Sequence, residues 1–117
     1  MEFRLPFPPS VNGMYLNVHG RGRAKTDAYE KWKSDAGWEL KAQRVKPIAG
    51  VVEIKIDLDE TRRGDADNRT KAVLDLLVTH GVIRNDSKKF VRRVSIGWEA
   101  VTGCRVSIVS ANGPDVG

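Results

Sequence analysis

Residues 51–58, VVEIKIDL, alternate apolar and polar side chains, and no other stretch narrows the fold as much. A period of two puts Val52, Ile54, Ile56 and Leu58 on one face and Glu53, Lys55 and Asp57 on the other, as in a strand lying on a core. After a charged loop the period changes. Val73, Leu74, Leu77 and Val78 recur at helical spacing and predict an amphipathic helix over residues 68–79, with Gly81 placed to cap its C-terminus.

The flanking segments complete the pattern. Residues 2–7 alternate and read as a first strand, stopped by Pro8-Pro9. Residues 10–25 carry Asn12-Gly13 and HGRGR, a loop or irregular hairpin with basic residues at its tip. A helix is expected from Thr26 or Asp27, with Glu30 completing a capping box and Ala28, Trp32, Ala36 and Leu40 forming its apolar face. That spacing leaves Lys31, Lys33, Asp35 and Lys41 to water. Residues 90–101 and 105–109 read as two strands joined near Thr102-Gly103, an antiparallel pair. The order strand, helix, strand, helix, strand, strand implies an α/β fold: a small single-domain sandwich with two main helices packed on a mixed β-sheet. Residues 1–110 form that domain, and residues 111–117 are expected to be a flexible tail.

At 117 residues the chain has room for one modest core, and self-association is expected. Twenty Lys+Arg against 15 Asp+Glu give a formal charge of +5, which favours a polyanionic partner. A single cysteine, Cys104, excludes an internal disulfide and a Cys-rich zinc site. It lies in an apolar run and reads as a buried thiol in a reducing cytoplasm. MEFRLPFPPS does not read as a signal peptide, and no apolar run approaches a membrane span, so no membrane partner is expected.

The chemistry concentrates in residues 62–86, RRGDADNRTKAVLDLLVTHGVIRND. Asp65, Asp67 and Asn68 stand at the mouth of the second helix, where the positive dipole end favours negative charge. Lys71 and Asp75 follow Asp67 at successive four-residue steps and lie on one helical stripe. Asp86 follows the helix, and reaches the same end only if its segment runs back antiparallel. Oxygen-only ligands of this kind suit Mg²⁺ or Mn²⁺, and such an ion activates water against a phosphodiester. The rival reading is a non-catalytic nucleic-acid-binding domain, in which the Asp cluster caps a helix and Asp67, Lys71 and Asp75 form a surface ion-pair ladder.

GDADNRTKAVLDLLVTHGVIRNDS resembles the signature of the RusA family of Holliday junction resolvases. That pattern is D-x-D-N, a lysine four residues past the second Asp, a further Asp-x-Leu, a Gly-Val step and an acidic turn. It is matched by Asp65, Asp67, Asn68, Lys71, Asp75, Leu77, Gly81, Val82 and Asp86. LPFPPSVNGMY and GRGRAKT resemble the family's first strand with its Pro-Pro-Ser turn and its basic loop. The resemblance implies a RusA-like fold and a homodimer in a bacterial cell, host- or phage-encoded, that cuts four-way junction DNA symmetrically in recombination and repair. It implies Asp65, Asp67 and Asp86 as metal-binding carboxylates and Lys71 as the catalytic lysine. Mg²⁺ is the expected cofactor, with Mn²⁺ as a substitute and no small-molecule cofactor. Two positions depart from the pattern: the acidic turn, often two aspartates, reads Asn85-Asp86, and Gly64 directly precedes Asp65 where the family is more basic.

Expected DNA contacts fall in three clusters, because phosphate contacts position a nuclease. They are Arg62, Arg63 and Arg69 beside the carboxylates, Lys88 and Lys89 after Asp86, and Arg21, Arg23 and Lys25 in the first loop. Trp38, on a different side of the first helix from Trp32, suggests a face for a second subunit.

Overall fold

The computed structural model describes residues 1–18 and 22–111, without the side chains of residues 16–23. Four strands form a mixed sheet: β1 (Glu2–Leu5), β4 (Val52–Asp59), β5 (Val91–Glu99) and β6 (Cys104–Ser110), in the order β1-β6-β4-β5. A separate antiparallel hairpin joins β2 (Tyr15–Val18) to β3 (Gly22–Lys25). Helices α1 (Asp27–Ala42) and α2 (Thr70–Thr79) supply the second layer. The expected α/β fold, two helices on a mixed sheet, is the one observed.

β4 is the central strand, parallel to β5 and antiparallel to β6. Val52, Ile54, Ile56 and Leu58 are buried, as their alternation requires, and join Val106, Ile108, Phe3 and Leu5 from the neighbouring strands. Helix α1 adds Tyr29, Trp32, Ala36 and Leu40 to this core, and α2 adds Ala72, Val73, Leu76 and Leu77. Tyr29 therefore stands where Ala28 was expected, and Ala28 is exposed. Cys104 is fully buried, and that burial pushes its thiol up to about 12, as befits an inert core residue.

Local chemistry sets the ends of these elements. Thr26 caps α1, its Oγ1 accepting from the Tyr29 N–H at 3.1 Å, so the cap falls one residue before Asp27. α2 begins two residues later than expected, after a 3₁₀ turn over Asp67–Arg69. Its C-terminus closes with Gly81 N–H donating to Val78 and Val82 N–H to Leu77, the double bond of a Schellman end. The first strand stops at Leu5 rather than residue 7, and Gln43 then covers its free edge, exchanging two 2.7 Å hydrogen bonds with the Arg4 backbone. Ala111 N–H donates to Val51, and the rest of the expected tail lies outside the described residues.

One expectation fails. Strands β5 and β6 are not a hairpin, because β4 lies between them. The connection passes over the end of β4, where Asp59 holds it. Its Oδ2 accepts from Gly103 N–H at 3.2 Å, and its Oδ1 accepts from the Thr61 N–H and hydroxyl at 3.0 and 2.6 Å. Gly103 has φ +70°, and a Cβ there would meet the Leu5 carbonyl at 2.7 Å, so only glycine passes. The bonds from Thr61, then that from Gly103, hold the Asp59 carboxyl below the usual carboxylate range. A depressed folded value gives stability present above the unfolded value of about 3.9 and lost as pH falls through the folded one. Asp59→Ala is therefore expected to lower the melting temperature at pH 7 more than at pH 2–3, read by thermal melts across that range. An equal loss at both pH values would remove the ionised carboxylate from this account.

Candidate active site

The loop after β4 delivers Asp65 and Asp67 to the start of α2, and both are exposed. Neither caps a helix. The residue ahead of the 3₁₀ turn is Ala66 and that ahead of α2 is Arg69, and neither position carries a side-chain capping bond. The capping role is therefore unfilled, and both carboxylates face solvent.

Farther along α2, Lys71 Nζ lies 3.4 Å from Asp75, with half of its side chain in solvent. Asp75 and Asp86 line one pocket of about 270 Å³ with Lys25, Tyr29, Lys33 and Thr79. The two amines bear on each other: the contact holds Lys33 below and Lys25 above the usual lysine value, since one amine accepts from another only when neutral. Burial first, then the Asp75 charge, raises the Tyr29 phenol to about 12.

The acidic residues thus form two pairs along α2, Asp65 with Asp67 at its mouth and Asp75 with Asp86 at its second half. Asp86 does not return to the mouth. Its segment lies at the other end of β4, where Val52 N–H donates to Phe90, while the loop carrying Asp65 leaves from Asp59. From Asp67 to Asp75 the chain climbs eight residues, roughly 12 Å at helical rise. Among the described residues no three Asp, Glu, His or Cys side chains come close enough together to hold a metal ion. The Asp65–Asp67 pair still fits Mg²⁺, which takes one or two protein carboxylates and fills its shell with water and substrate phosphate.

Asn85, where the family pattern often has an acid, has a local duty. Its Oδ1 accepts from Ser87 N–H at 2.7 Å, an Asx turn that shapes the segment presenting Asp86.

The expected basic residues divide. Lys25 lines the acidic pocket. Arg62, Arg63, Lys88 and Lys89 are exposed, with Arg62 5.0 Å from the Phe7 ring centre. The side chains of Arg21 and Arg23 lie outside the described residues, as does His19. Arg69 differs from the other expected contacts in being held by the fold. It donates to the Pro8 carbonyl at 2.7 Å and the Arg63 carbonyl at 3.2 Å, and lies 4.5 Å over Phe7, whose ring also meets Arg62 and Trp98. Desolvation lowers its guanidinium, which the site does not need as a mobile charge. Gly64, with φ +120°, lets that guanidinium pass, because a Cβ there would stand 2.5 Å from it. The glycine at this departure from the basic family pattern suits the positive φ, which side chains rarely adopt. Sequence spacing missed Lys33, assigned to water; only the packing of α1 against α2 brings it to Asp75.

The family model of endodeoxyribonuclease RusA matches residues 6–109. The chain belongs to the RusA family. It is 33% identical over 106 residues to the crossover junction endodeoxyribonuclease RusA of Aquifex aeolicus (strain VF5), spanning 84% of this chain and 82% of that protein. It is 30% identical over 110 residues to the crossover junction endodeoxyribonuclease of Enterobacteria phage HK97, spanning 92% and 90%. The RusA match takes in the whole stretch from Asp65 to Asp86, so the resemblance read from that stretch is borne out at the level of family.

Arg69→Met keeps the bulk over Phe7 and leaves two carbonyls without their donor. It is expected to cost about 1–3 kcal/mol in urea unfolding, and to weaken DNA binding less than Arg63→Gln does. The reverse ranking would return Arg69 to the phosphate contacts.

Proposed function

We propose that the chain is a structure-selective endodeoxyribonuclease that resolves four-way junctions by paired, symmetric, metal-dependent phosphodiester hydrolysis. One observation carries this reading: the RusA match spans residues 6–109, and within it Asp65 and Asp67 do no capping work. The rival binding-only domain read that cluster as a helix cap and Asp67, Lys71 and Asp75 as an ion-pair ladder; the Lys71–Asp75 pair fits it, but the missing cap does not.

On this reading Asp65 and Asp67 would hold Mg²⁺, with Mn²⁺ able to replace it. When bound, the ion lowers the pKa of a coordinated water and offsets charge growing on the phosphate. Lys71, half in solvent and tethered to Asp75, offers a positive group to the attacked phosphate or to the leaving oxygen. Asp86, which lines one pocket with Asp75, is the further carboxylate that the family resemblance assigns to the site, set apart from the Asp65–Asp67 pair. Asn85 fixes its turn. Arg62, Arg63, Lys25, Lys88 and Lys89 hold flanking phosphates, and two subunits set two such sites on a two-fold junction. The products are 5′-phosphate and 3′-hydroxyl ends that a ligase can seal.

The test incubates the protein with a mobile four-way junction and a matched linear duplex, with Mg²⁺ and with chelator. Paired nicks in the junction alone, dependent on the ion, are expected; equal cutting of both DNAs would overturn junction selectivity. Asp67→Asn is expected to lose roughly 10²-fold or more in cleavage while keeping junction binding. Lys71→Ala is expected to lose cleavage on a similar scale while still folding. Near-normal turnover in either would remove that residue from the mechanism.

A further inference from the structure

Beyond the acidic pocket, two further cavities follow between α1 and the C-terminal end of α2, each sharing lining residues with the one before. Lys33 lines the acidic pocket and also the next cavity, about 180 Å³, beside Trp38 and His80. Lys41 and His80 then carry over into a third of about 480 Å³, which reaches Arg44 and Lys46. Neither of these two further cavities has an acidic lining residue among the described residues.

Helix α1 sorts its charges to make this so. Asp35 is held by Lys31 at 2.7 Å, and Glu39 turns to Gln43 at the edge of β1. The closeness of the two helices at the cleft floor is set by Gly37, where a Cβ would lie 3.0 Å from the His80 ring. Trp38 remains 70% exposed at the lip, with Lys41 Nζ 5.9 Å from its ring centre.

We propose that this cleft is a phosphate track for one duplex arm of the DNA substrate, running from the acidic pocket at Lys33 past Trp38 and Lys41 to Arg44 and Lys46. It rests on the nuclease function proposed above and adds residues to it. Lys33 and Lys41 are eight residues apart on α1, roughly 12 Å, the axial rise of three to four phosphates of one strand. The exposed indole gives an apolar face to the deoxyribose edge between them. A second copy of the chain is the poorer occupant. A two-fold contact sets a surface against itself, and here that would place lysines and arginine against their own kind.

The experiment is binding, not cleavage. Wild type and Lys41→Gln/Lys46→Gln are titrated in chelator against a four-way junction and a linear duplex over a range of salt, and the mass of each free protein is measured by light scattering. Lys31→Gln, on the same helix but off the cleft, is the control. The double variant is expected to bind both DNAs roughly tenfold more weakly, with a salt slope shallower by about two, one for each phosphate that has lost its lysine. Its mass should be unchanged, and Lys31→Gln should bind like wild type. An unaltered slope in the double variant, or an equal loss in Lys31→Gln, would overturn the track. A fall in mass of the double variant would also overturn it and give the face to a second subunit. No outcome depends on cutting: a wild type that binds but never cleaves would end the nuclease reading and leave the track to be judged on slope alone.

Discussion

Everything at the site hangs from the two ends of β4. Its C-terminal end, fixed by the bonds Asp59 takes from Thr61 and Gly103, releases the loop that carries Asp65 and Asp67. Its N-terminal end takes the Phe90 carbonyl onto Val52 N–H, and with it the segment that carries Asp86. Between them runs α2, returning beside the strand with Lys71 and Asp75 on its way. Because β4 is buried on its core face and flanked by strands on both sides, neither end can drift without disturbing the sheet. The spacing of the carboxylates is therefore a property of the core, though the side chains themselves are in solvent.

That arrangement accounts for two features that look contradictory. The chain is basic overall, yet Asp65, Asp67, Asp75 and Asp86 all lie on or beside α2, where like charges repel. Their spread along the chain, with Lys71 against Asp75 and Lys25 and Lys33 lining the same pocket, eases that repulsion. The basic residues divide by task. Arg69 is spent on the fold, clamping the loop before Asp65 to the N-terminal segment over Phe7. Those left exposed are free for phosphate.

Much of this is legible in the amino-acid order, and the failures have definite causes. The alternation in residues 51–58 and the helical recurrence in residues 73–78 each report one face of one element, so they survive folding unchanged. The pairing of β5 with β6 misleads because a short Thr102-Gly103 link is what a hairpin would use. Only the hydrogen bonds of Asp59 reveal that the link bridges a third strand. Arg69 misleads because an arginine beside carboxylates looks the same in sequence whether it waits for phosphate or donates to Pro8, 61 residues away. Lys33 escapes because helical spacing tells which residues share a face, but not what the face meets.

On the function proposed above, an open site is what Mg²⁺ acting on a polyanion calls for. A closed cage of protein ligands would neutralise the ion and leave no room for the phosphate it must engage. An open pair such as Asp65 and Asp67 leaves positions for water and for substrate oxygen. It follows that the ion should be held weakly until DNA arrives and more tightly once phosphate completes its shell. By linkage DNA should be held more tightly in the ion's presence, by the same factor. The basic groups that bring phosphate to the pair then govern metal occupancy as well as affinity for DNA. On the function proposed here, catalysis and recognition are coupled through one oxygen shell, with each half incomplete alone.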